Sequence, residues 1–383
     1  MNAIQPDIHL ALVSNQAVPN ITPALDPTSR PRAVTLLVSP DMHQQAEWLT
    51  DVLRTTGIEV SHWPIADAWD IQHIRDRVLD WMAAHEEERV ALNATGGTKP
   101  MSIAAYEAFR AMDQPIFYVH PERDRLIWMH PAELPAFDLA DKIRLPQFLQ
   151  AHGATLKRQG SDFGVPESRR RLTETLVRYV KNFEQPLRTL NWAAATAERS
   201  LVSEPISRAS LDHPDWRKLI DLFAAEETLT LEQNRLHFHD EAARFYANGG
   251  WLEDHVYGLC LSLKRSTPIH DVGRSLEVER QGRNDTIPNE LDVAFLADNR
   301  LYIIECKTAR FDQAGREPGK GADILYKLDT LTDLLGGLQA RSMVVSYQQF
   351  HDYDRQRAAD LRIRVCCGGD LSELPAKIKR WVS

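Results

Sequence analysis

Residues Ile287 to Lys307, IPNELDVAFLADNRLYIIECK, predict two β-strands joined by a short turn. Apolar and polar residues alternate from Leu291 to Phe295, which is typical of a strand, and a second apolar run follows Asp298 and Asn299. Asp and Asn tolerate positive φ, so this pair suits a two-residue hairpin loop. The loop in turn fixes the register of the two strands.

This register defines which residues face each other across the hairpin. The predicted pairs are Ala297 with Arg300, Asp292 with Glu305, and Glu290 with Lys307. Paired residues share a face of the sheet, so one end of one face carries four charged side chains. We expect the apolar residues to be divided between the faces, with Leu296, Leu301 and Ile303 on the charged face and Leu291, Val293, Ile304 and Cys306 on the other.

The pairing of Asp292 with Glu305 is the informative one. A charged hairpin rim accounts for Glu290 opposite Lys307, but two like charges directly across a ladder destabilise it. A hard divalent cation between them removes the repulsion, and carboxylates with an adjacent main-chain carbonyl form an oxygen site suited to Mg²⁺ or Mn²⁺. Lys307 would then orient a water molecule or stabilise the charge that develops at phosphorus.

Asp292, followed after twelve residues by Glu305-Cys306-Lys307, resembles the signature of the PD-(D/E)xK nucleases. Leu291 stands at the variable proline position of that superfamily. The superfamily also has an acidic residue on the helix before the sheet, and Glu253 opens an amphipathic stretch there. It often has a basic residue on the helix after the motif, where Lys327 lies. Ordinary charge on a helix surface is the alternative for these last two residues.

The resemblance implies an α/β, restriction-endonuclease-like domain that hydrolyses phosphodiester bonds with a divalent metal. The implied catalytic residues are Glu253, Asp292, Glu305 and Lys307, and the implied ligands of Mg²⁺ or Mn²⁺ are Glu253, Asp292, Glu305 and the carbonyl of Cys306.

The chain of 383 residues is long enough for two domains, and 43% hydrophobic with 26% charged residues is typical of a globular protein. No run approaches the ~20 apolar residues of a membrane span, and the N-terminal residues lack the basic start and cleavage site of a secretory signal. These features predict a cytoplasmic protein. The four cysteines show no zinc-ligand spacing, so we expect free, reduced thiols.

The net charge of −9 is unevenly distributed along the chain. Residues 1–150 contain 12 Lys and Arg against 20 Asp and Glu, whereas residues 299–380 contain 14 against 11. The acidity therefore belongs mainly to the N-terminal part. The surroundings of the hairpin are compatible with binding a phosphate backbone.

Residues 8–121 alternate short apolar runs with amphipathic stretches of helix length. The strand candidates are residues 8–14, 33–39, 58–64, 89–95 and 115–120, and residues 125–130 add a hairpin strand. Two sets of residues each share one helical face, namely Ala46, Leu49, Val52 and Leu53, and Ile71, Ile74, Val78 and Met82. This order predicts a Rossmann-like parallel sheet covered by helices.

A glycine-containing loop, Asn93 to Lys99 (NATGGTK), leaves one of these strands and enters a helix. Paired glycines let backbone N–H groups approach a ligand, Thr95 and Thr98 supply hydroxyls, and a helix N-terminus favours anions. The loop matches neither GxGxxG nor GxxxxGK(S/T), so it does not indicate NAD binding or a P-loop ATPase. The simpler alternative is a glycine turn with a threonine cap.

The sequence NATGGTKPM at 93–101, together with Val13 to Gln16 and Pro19-Asn20, resembles the CARF domain of CRISPR ancillary nucleases. In that family the CARF domain precedes a PD-(D/E)xK domain, so the resemblance covers nearly the whole chain. It implies a homodimer that binds cyclic tetra-adenylate in type III CRISPR immunity and then cuts RNA and single-stranded or supercoiled DNA without sequence specificity. The implied ligand-binding residues are Ser14, Asn15, Gln16, Asn20, Thr95, Gly96, Gly97, Thr98, Lys99 and Met101.

The predicted domain order is a CARF domain at 1–140, a linker at 141–170, and a nuclease domain at 171–383 that begins with a helical insert. We expect helices at 168–183, 214–226 and 323–336, a hairpin at 229–238, strands at 342–347 and 362–367, and a terminal helix. Residues 310–323, RFDQAGREPGKGAD, are predicted to be a Gly-rich loop or lid of the active site.

Two other functions compete with this one. HEPN ribonucleases also accompany CARF domains and use an RxxxxH motif, a spacing present here at Arg125/His130, Arg208/His213 and Arg265/His270. Three unrelated matches are typical of a loose pattern in a chain with 14 His, and Arg125 lies in a predicted strand. The other alternative is a cyclic-oligoadenylate-binding regulator without nuclease activity, against which the retained catalytic quartet argues. The sequence does not distinguish a Lys99 that grips the activator from one that cleaves it.

Overall fold

The computed structural model describes residues 5–120, 123–160, 165–281, 285–308 and 320–383. Within these ranges the chain forms two mixed α/β domains, each built on its own large sheet. The predicted fold class, a Rossmann-like domain followed by a restriction-endonuclease-like domain, is confirmed.

The first sheet is built from the strands predicted for the N-terminal domain. They are β1 (Ile8–Leu12), β2 (Ala33–Val38), β3 (Glu59–Pro64), β4 (Val90–Asn93), β5 (Ile116–His120), β6 (Arg125–His130) and β7 (Phe137–Asp138). In the described residues their order is β3-β2-β1-β4-β5-β6-β7. The first five strands are parallel and the last two are antiparallel, so the predicted sheet and its added hairpin are confirmed.

Helices cover both faces of this sheet, which explains why its inner strands are apolar throughout. The helices are α1 (Val18–Leu25), α2 (His43–Thr55), α3 (Ile71–Ala84) and α4 (Lys99–Ala111). α1 and α2 pack with Ala11 and Leu36 on one face, and α3 and α4 pack with Leu10 and Leu37 on the other. The predicted core faces of α2 and α3 are buried, except that Ile71 in the first turn of α3 is exposed.

The second sheet contains the hairpin that the sequence predicts at residues 287–307. Its strands are β8 (Ala154–Arg158), β11 (Ile269–Gln281), β12 (Thr286–Ala297), β13 (Arg300–Lys307), β14 (Ala340–Ser346) and β15 (Arg364–Cys367), and a separate small hairpin is formed by β9 (Leu229–Glu232) and β10 (Arg235–Phe238). The order in the described residues is β15-β14-β13-β12-β11-β8. β13, β14 and β15 are parallel, and β12 runs antiparallel to both of its neighbours.

The remaining helices surround this sheet. They are α5 (Leu145–Ala151), α6 (Glu167–Arg178), α7 (Val180–Thr196), α8 (Arg208–Leu211), α9 (Trp216–Ala224), α10 (Glu241–Phe245), α11 (Trp251–Leu263), α12 (Lys320–Gly336), α13 (Asp352–Asp360) and α14 (Leu374–Val382). The insert helices α6, α7 and α9 pack with α11 and α14 in one apolar core against one face of the sheet. α12 packs against the opposite face with α5.

The register predicted for the hairpin is confirmed from Ala297–Arg300 to Val293–Ile304. Asp298 and Asn299 have φ values of +47° and +52°, as a two-residue loop of this type requires. The ladder ends at Val293–Ile304, so the two charged pairs predicted beyond it are not ladder partners.

The predicted division of apolar residues between the two faces is wrong for Leu291. Val293, Ile304 and Cys306 lie in the core beneath the insert helices, but Leu291 lies in the opposite core. The alternation is interrupted at Asp292, where pairing with β11 skips Ser275, whose φ is +45°. This local irregularity reverses the face of the residues that precede it.

The range predicted as a linker contains ordered structure, because α5 and β8 both lie within 141–170. Gly153, which suggested a flexible segment, forms the tight turn between them with φ of +75°. α5 packs against α2, and a single apolar core extends from Leu49 through Phe148 to Leu325. The two domains are therefore joined by packed side chains rather than by a flexible tether.

In the described part of the chain, no helix is long and apolar enough to cross a membrane. The four cysteines are buried free thiols.

Candidate functional site

Two loops of the N-terminal domain meet at the point in its sheet where the order of the strands changes direction. β1 and β4 are neighbours in the sheet, but α1 and α4, which follow them, lie on opposite faces. In open α/β sheets, ligands bind at this switch point, outside the carboxyl ends of the strands. Residues 13–17 and 94–98, which carry most of the predicted ligand residues, form the two loops here.

The paired glycines allow these loops to pack closely. A Cβ atom on Gly96 would lie 2.0 Å from the carbonyl oxygen of Leu12, so the backbone of one loop touches the end of the other strand. Gly97 has φ of +72°, a conformation that favours glycine.

Both threonine hydroxyls of the loop have partners within the protein. Thr98 caps α4 by accepting the Met101 N–H at 3.2 Å, and it donates to the carbonyl of Ala68 at 2.8 Å. Thr95 donates to Asn93 Oδ1 at 2.7 Å and accepts the Val119 N–H at 2.8 Å. These bonds fix the shape of the loop.

The predicted ligand residues of this domain differ in exposure. Asn20 and Met101 are buried, and Asn20 donates to the Leu12 carbonyl at 2.9 Å while accepting from Asn93 at 3.1 Å. Asn15 and Lys99 are exposed, and Ser14 and Gln16 are half-buried. The structure therefore brings exposed polar residues together at the switch point, with Asn20 holding the two strand ends beneath them.

In the second domain, Asp292 lies where the β12–β13 ladder ends. Its Oδ2 accepts the Cys306 N–H at 2.7 Å, so the carboxylate is held against the adjoining strand. Burial and the nearby Glu305 carboxylate raise the pKa of Asp292 to about 7, against the opposing effect of Lys307. Lys307 Nζ lies 2.5 Å from Glu305 Oε1. The residues of the predicted motif thus meet at one end of the hairpin.

Glu253 reaches the same region from the first turn of α11. Burial, followed by the charges of Asp292 and Glu290, raises the pKa of Glu253 to about 8. The next residue, Asp254, forms ion pairs with Arg274 of β11 and Arg169 of α6, which anchor the start of the helix. Sequence reasoning missed this anchor, because neither arginine belongs to a recognisable spacing.

The chemistry of these donors fits a hard divalent cation. The carboxylates of Glu253 and Asp292 are half-buried and repel each other, and a cation between them would offset both the desolvation and the repulsion. Among the residues that the structure describes, no three Asp, Glu, His or Cys side chains already converge on one metal position. Glu305, which is one of the predicted ligands, forms an ion pair with Lys307.

Other predicted candidates lie apart from this group. Lys327 is in α12 as predicted, and its side chain is exposed. None of the three RxxxxH spacings, all within the described residues, falls inside one helix: Arg125 and His130 lie in β6, α8 ends at Leu211 before His213, and His270 lies in β11. The predicted loop at 310–323 is largely outside the described residues, since α12 begins at Lys320.

The fold and the two groups of residues define a class of protein in which a Rossmann-like sensor domain is joined to an α/β endonuclease domain. Residues 8–148 match the family model of the Card1 CARF domain, and residues 239–383 match that of the Card1-like endonuclease domain. The two domains of this chain belong to these families.

Solved structures share this arrangement along the whole chain. Protein VC1899 from Vibrio cholerae is 29% identical, with 98% of this chain and 97% of that chain covered and a TM-score of 0.89. Can2 from Sulfobacillus thermosulfidooxidans, in complex with cyclic tetra-adenylate, is 26% identical, with 98% and 99% covered and a TM-score of 0.82. A type III CRISPR defence DNA nuclease activated by cyclic oligoadenylate shares the fold at 18% identity, with 91% of this chain and 46% of that chain covered and a TM-score of 0.56. No curated protein matches.

Proposed function

We propose that this protein is a metal-dependent nuclease that cuts RNA and DNA without sequence specificity when cyclic tetra-adenylate binds its CARF domain. The observation that carries the proposal is the grouping of Asp292, Glu305 and Lys307 at the end of a central hairpin in a Card1-like endonuclease domain. Can2, whose structure contains cyclic tetra-adenylate, supports the choice of activator. A role in type III CRISPR defence follows from the same likeness.

Asp292, Glu305 and Glu253, with the main-chain carbonyl of Cys306, would hold Mg²⁺ or Mn²⁺. When bound, the metal would activate a water molecule and polarise a phosphoryl oxygen. The protein's own contribution is a fixed set of oxygen atoms. Asp292 is oriented by the Cys306 N–H, and Glu253 is fixed by α11, whose start is anchored through Asp254.

Lys307 would orient the attacking water or stabilise negative charge as it develops on the phosphoryl oxygens. Burial lowers the pKa of Lys307, but Glu305 and Asp292 raise it above the ordinary value, so the ammonium group stays charged. A charged ammonium group beside the carboxylates suits electrostatic stabilisation of that negative charge.

The CARF loops would bind the activator between two copies of the chain. One copy of the loop at 94–99 presents few donors to a ring with four phosphates, whereas two copies related by a two-fold axis surround it symmetrically. The N-terminus of α4 and the exposed Lys99 supply favourable positive potential for phosphates. The active protein is therefore proposed to be a homodimer.

The direct test is cleavage of labelled RNA, single-stranded DNA and supercoiled plasmid with cyclic tetra-adenylate and Mg²⁺ or Mn²⁺. We expect products with 5′-phosphates, loss of activity in EDTA, and no cleavage by Glu305→Gln although it binds the activator normally. The matched control is Glu373→Gln, an exposed glutamate at the start of α14. Wild-type cleavage by Glu305→Gln, or full activity in EDTA, would show that the proposed site is wrong.

A further inference from the structure

A cleft lined by five arginines lies at the end of the second sheet opposite the candidate active site. It has a volume of about 440 Å³ and includes the starts of β13, β14 and β15 and the end of α14. The charged side chains that line it are Arg300, Arg341, Arg362, Arg364, Arg380 and a single acidic one, Asp298. In a chain with a net charge of −9, this is a local concentration of positive charge.

In the part of the chain that the structure describes, four of these arginines lack the acidic partners that surface arginines commonly have. Within the described residues, Arg341, Arg362, Arg364 and Arg380 form no ion pair with a carboxylate, and all four are exposed. Arg362 also has φ of +59°, a conformation that a long L side chain rarely adopts. Like charges gathered in one cleft repel each other, so an anion that shares them would relieve this repulsion.

The strand order places the guanidinium groups at intervals that suit an extended anion rather than a single phosphate. Arg341 is paired with Tyr302 of β13, and Arg364 is paired with Met343 of β14, so the guanidinium groups step from strand to strand. Adjacent strands are about 4.8 Å apart, so the arginines of β13, β14 and β15 span roughly 10 Å. Guanidinium groups bind phosphates through two parallel hydrogen bonds.

We propose that this cleft binds the phosphate backbone of the nucleic-acid substrate at a distance from the cut. The inference rests on the proposed nuclease function and adds a minimum substrate length to it. β13 begins at Arg300 in the cleft and ends at Lys307 in the candidate active site. Its length of about 23 Å corresponds to roughly seven nucleotides at 3.4 Å per nucleotide along a helix. A substrate that keeps this helical rise must exceed that length to occupy both regions at once.

The test measures binding and cleavage by a triple variant, Arg341→Gln/Arg362→Gln/Arg364→Gln. The control is Arg171→Gln/Arg199→Gln/Arg208→Gln, which removes the same charge from exposed arginines of the insert. Binding of fluorescein-labelled 24-nucleotide single-stranded DNA and RNA and a 24-base-pair duplex is followed by anisotropy at several salt concentrations, with Glu305→Gln added to every protein to prevent cleavage. Thermal unfolding of each protein checks its fold.

A plot of the logarithm of the binding constant against the logarithm of the salt concentration has a negative slope. We expect this slope to be shallower by about 2 to 3 in the cleft variant, because each lost phosphate contact removes roughly 0.7 to 0.9 from its magnitude. With Glu305 restored, cleavage of a 24-nucleotide substrate should fall at least tenfold. Cleavage of a three-nucleotide substrate, which is too short to reach the cleft even when fully extended, should be unchanged. The control variant should behave like the wild type in both assays.

An unchanged salt slope in the cleft variant overturns the inference, even if the wild type proves to be a nuclease. A changed oligomeric state with unchanged nucleic-acid binding also overturns it, and would assign the cleft to contact with a second copy. If the slope falls as expected but no protein cleaves, the cleft assignment stands and the proposed nuclease function fails.

Discussion

At the scale of single residues, the carboxylate of Asp292 takes the position of a missing ladder partner. It accepts the Cys306 N–H where regular pairing stops, and it lies half-buried beside other carboxylates. A residue selected for stability alone would be neutral here, because buried like charges destabilise a fold. The arrangement is expected in a site that is completed by a cation.

The substitution Asp292→Asn should have opposite effects on stability and activity. Asn keeps an oxygen that can accept the Cys306 N–H but removes a buried charge, so metal-free protein at pH 8 should gain about 1–3 kcal/mol in unfolding free energy. Cleavage should be lost. We also expect Mn²⁺ to raise the melting temperature of the wild type but not that of the variant. Denaturation in EDTA and in Mn²⁺ measures both effects. A less stable variant in EDTA, or one that still cleaves, would contradict this account of Asp292.

Gly96 is a position where a single added carbon atom would prevent the two sensor loops from packing together. A Cβ atom would lie 2.0 Å from the Leu12 carbonyl oxygen, so Gly96→Ala must displace one of the two loops. We expect a loss of at least about 2 kcal/mol of stability and loss of activator binding. Gly258→Ala in α11 is the matched control, because its Cβ would have nothing closer than 3.7 Å and should add about 0.5–1 kcal/mol of helix stability. Normal activator binding by Gly96→Ala would show that the close approach of the loops is unnecessary.

At the scale of elements, the turn between β12 and β13 connects the nuclease hairpin to the sensor domain. Asn299 at its tip is fully buried, and it donates hydrogen bonds to the Asp124 carboxylate and to the Ala140 carbonyl at 3.2 Å. Burial, with repulsion from Asp141 and Asp298, raises the pKa of Asp124 to about 7 although Asn299 lowers it. The strand that ends in the candidate active site therefore begins at an interface between domains.

This raised pKa predicts how stability depends on pH. Between about pH 4 and 7, Asp124 keeps its proton in the folded protein but loses it in the unfolded protein. The contribution of Asp124 to stability is therefore fully present at low pH and declines as pH rises through this range. Asp124→Asn should remove this decline and exceed the wild type by roughly 1–3 kcal/mol at pH 8 but little at pH 4.5. Urea unfolding of both proteins at several pH values gives the difference in their unfolding free energies. The titration of all other groups is common to both proteins and cancels in this difference. Asp51→Asn, an exposed site on α2, is the control, and a difference independent of pH would refute the assignment.

The hairpin, the N-terminal sheet and the switch-point loop were predictable because each rests on local pattern. Alternation and a two-residue turn predicted the register through Val293–Ile304, and short apolar runs predicted β1 to β6. β11 was not predicted, because Gly273 and the left-handed Ser275 interrupt its alternation. The side of the sheet on which Leu291 lies depends on that same irregularity in the neighbouring strand. The sequence of the hairpin itself therefore does not predict it.

The candidate site was predictable to a similar depth. Asp292, Glu305 and Lys307 follow from the hairpin and the family signature, and the structure brings them together. The anchoring of Asp254 by Arg169 and Arg274 joins three elements far apart in sequence, so its signal exists only after folding. The arginine cleft likewise depends on strand order rather than on spacing in sequence.

At the scale of the whole molecule, the two domains share one apolar core through α2, α5 and α12. A packed interface of this kind can transmit a change at the sensor loops to the second sheet, whereas a flexible tether would let the domains move independently. A near-complete switch between inactive and active states requires the activator to favour one of them by roughly 5.5 kcal/mol. Several charge-assisted bonds to a ring of phosphates are a sufficient source.

Activation by cyclic tetra-adenylate is tested most directly by measuring the rate of nucleic-acid cleavage as cyclic tri-, tetra- or hexa-adenylate is titrated in Mn²⁺. The proteins compared are the wild type, Lys99→Ala and the exposed control Lys264→Ala. We predict that cyclic tetra-adenylate alone raises the rate steeply, that Lys99→Ala needs a higher concentration, and that Lys264→Ala matches the wild type. Activation by another ring size would keep the switch and correct its ligand. Full cleavage by the wild type without any cyclic nucleotide would contradict the account.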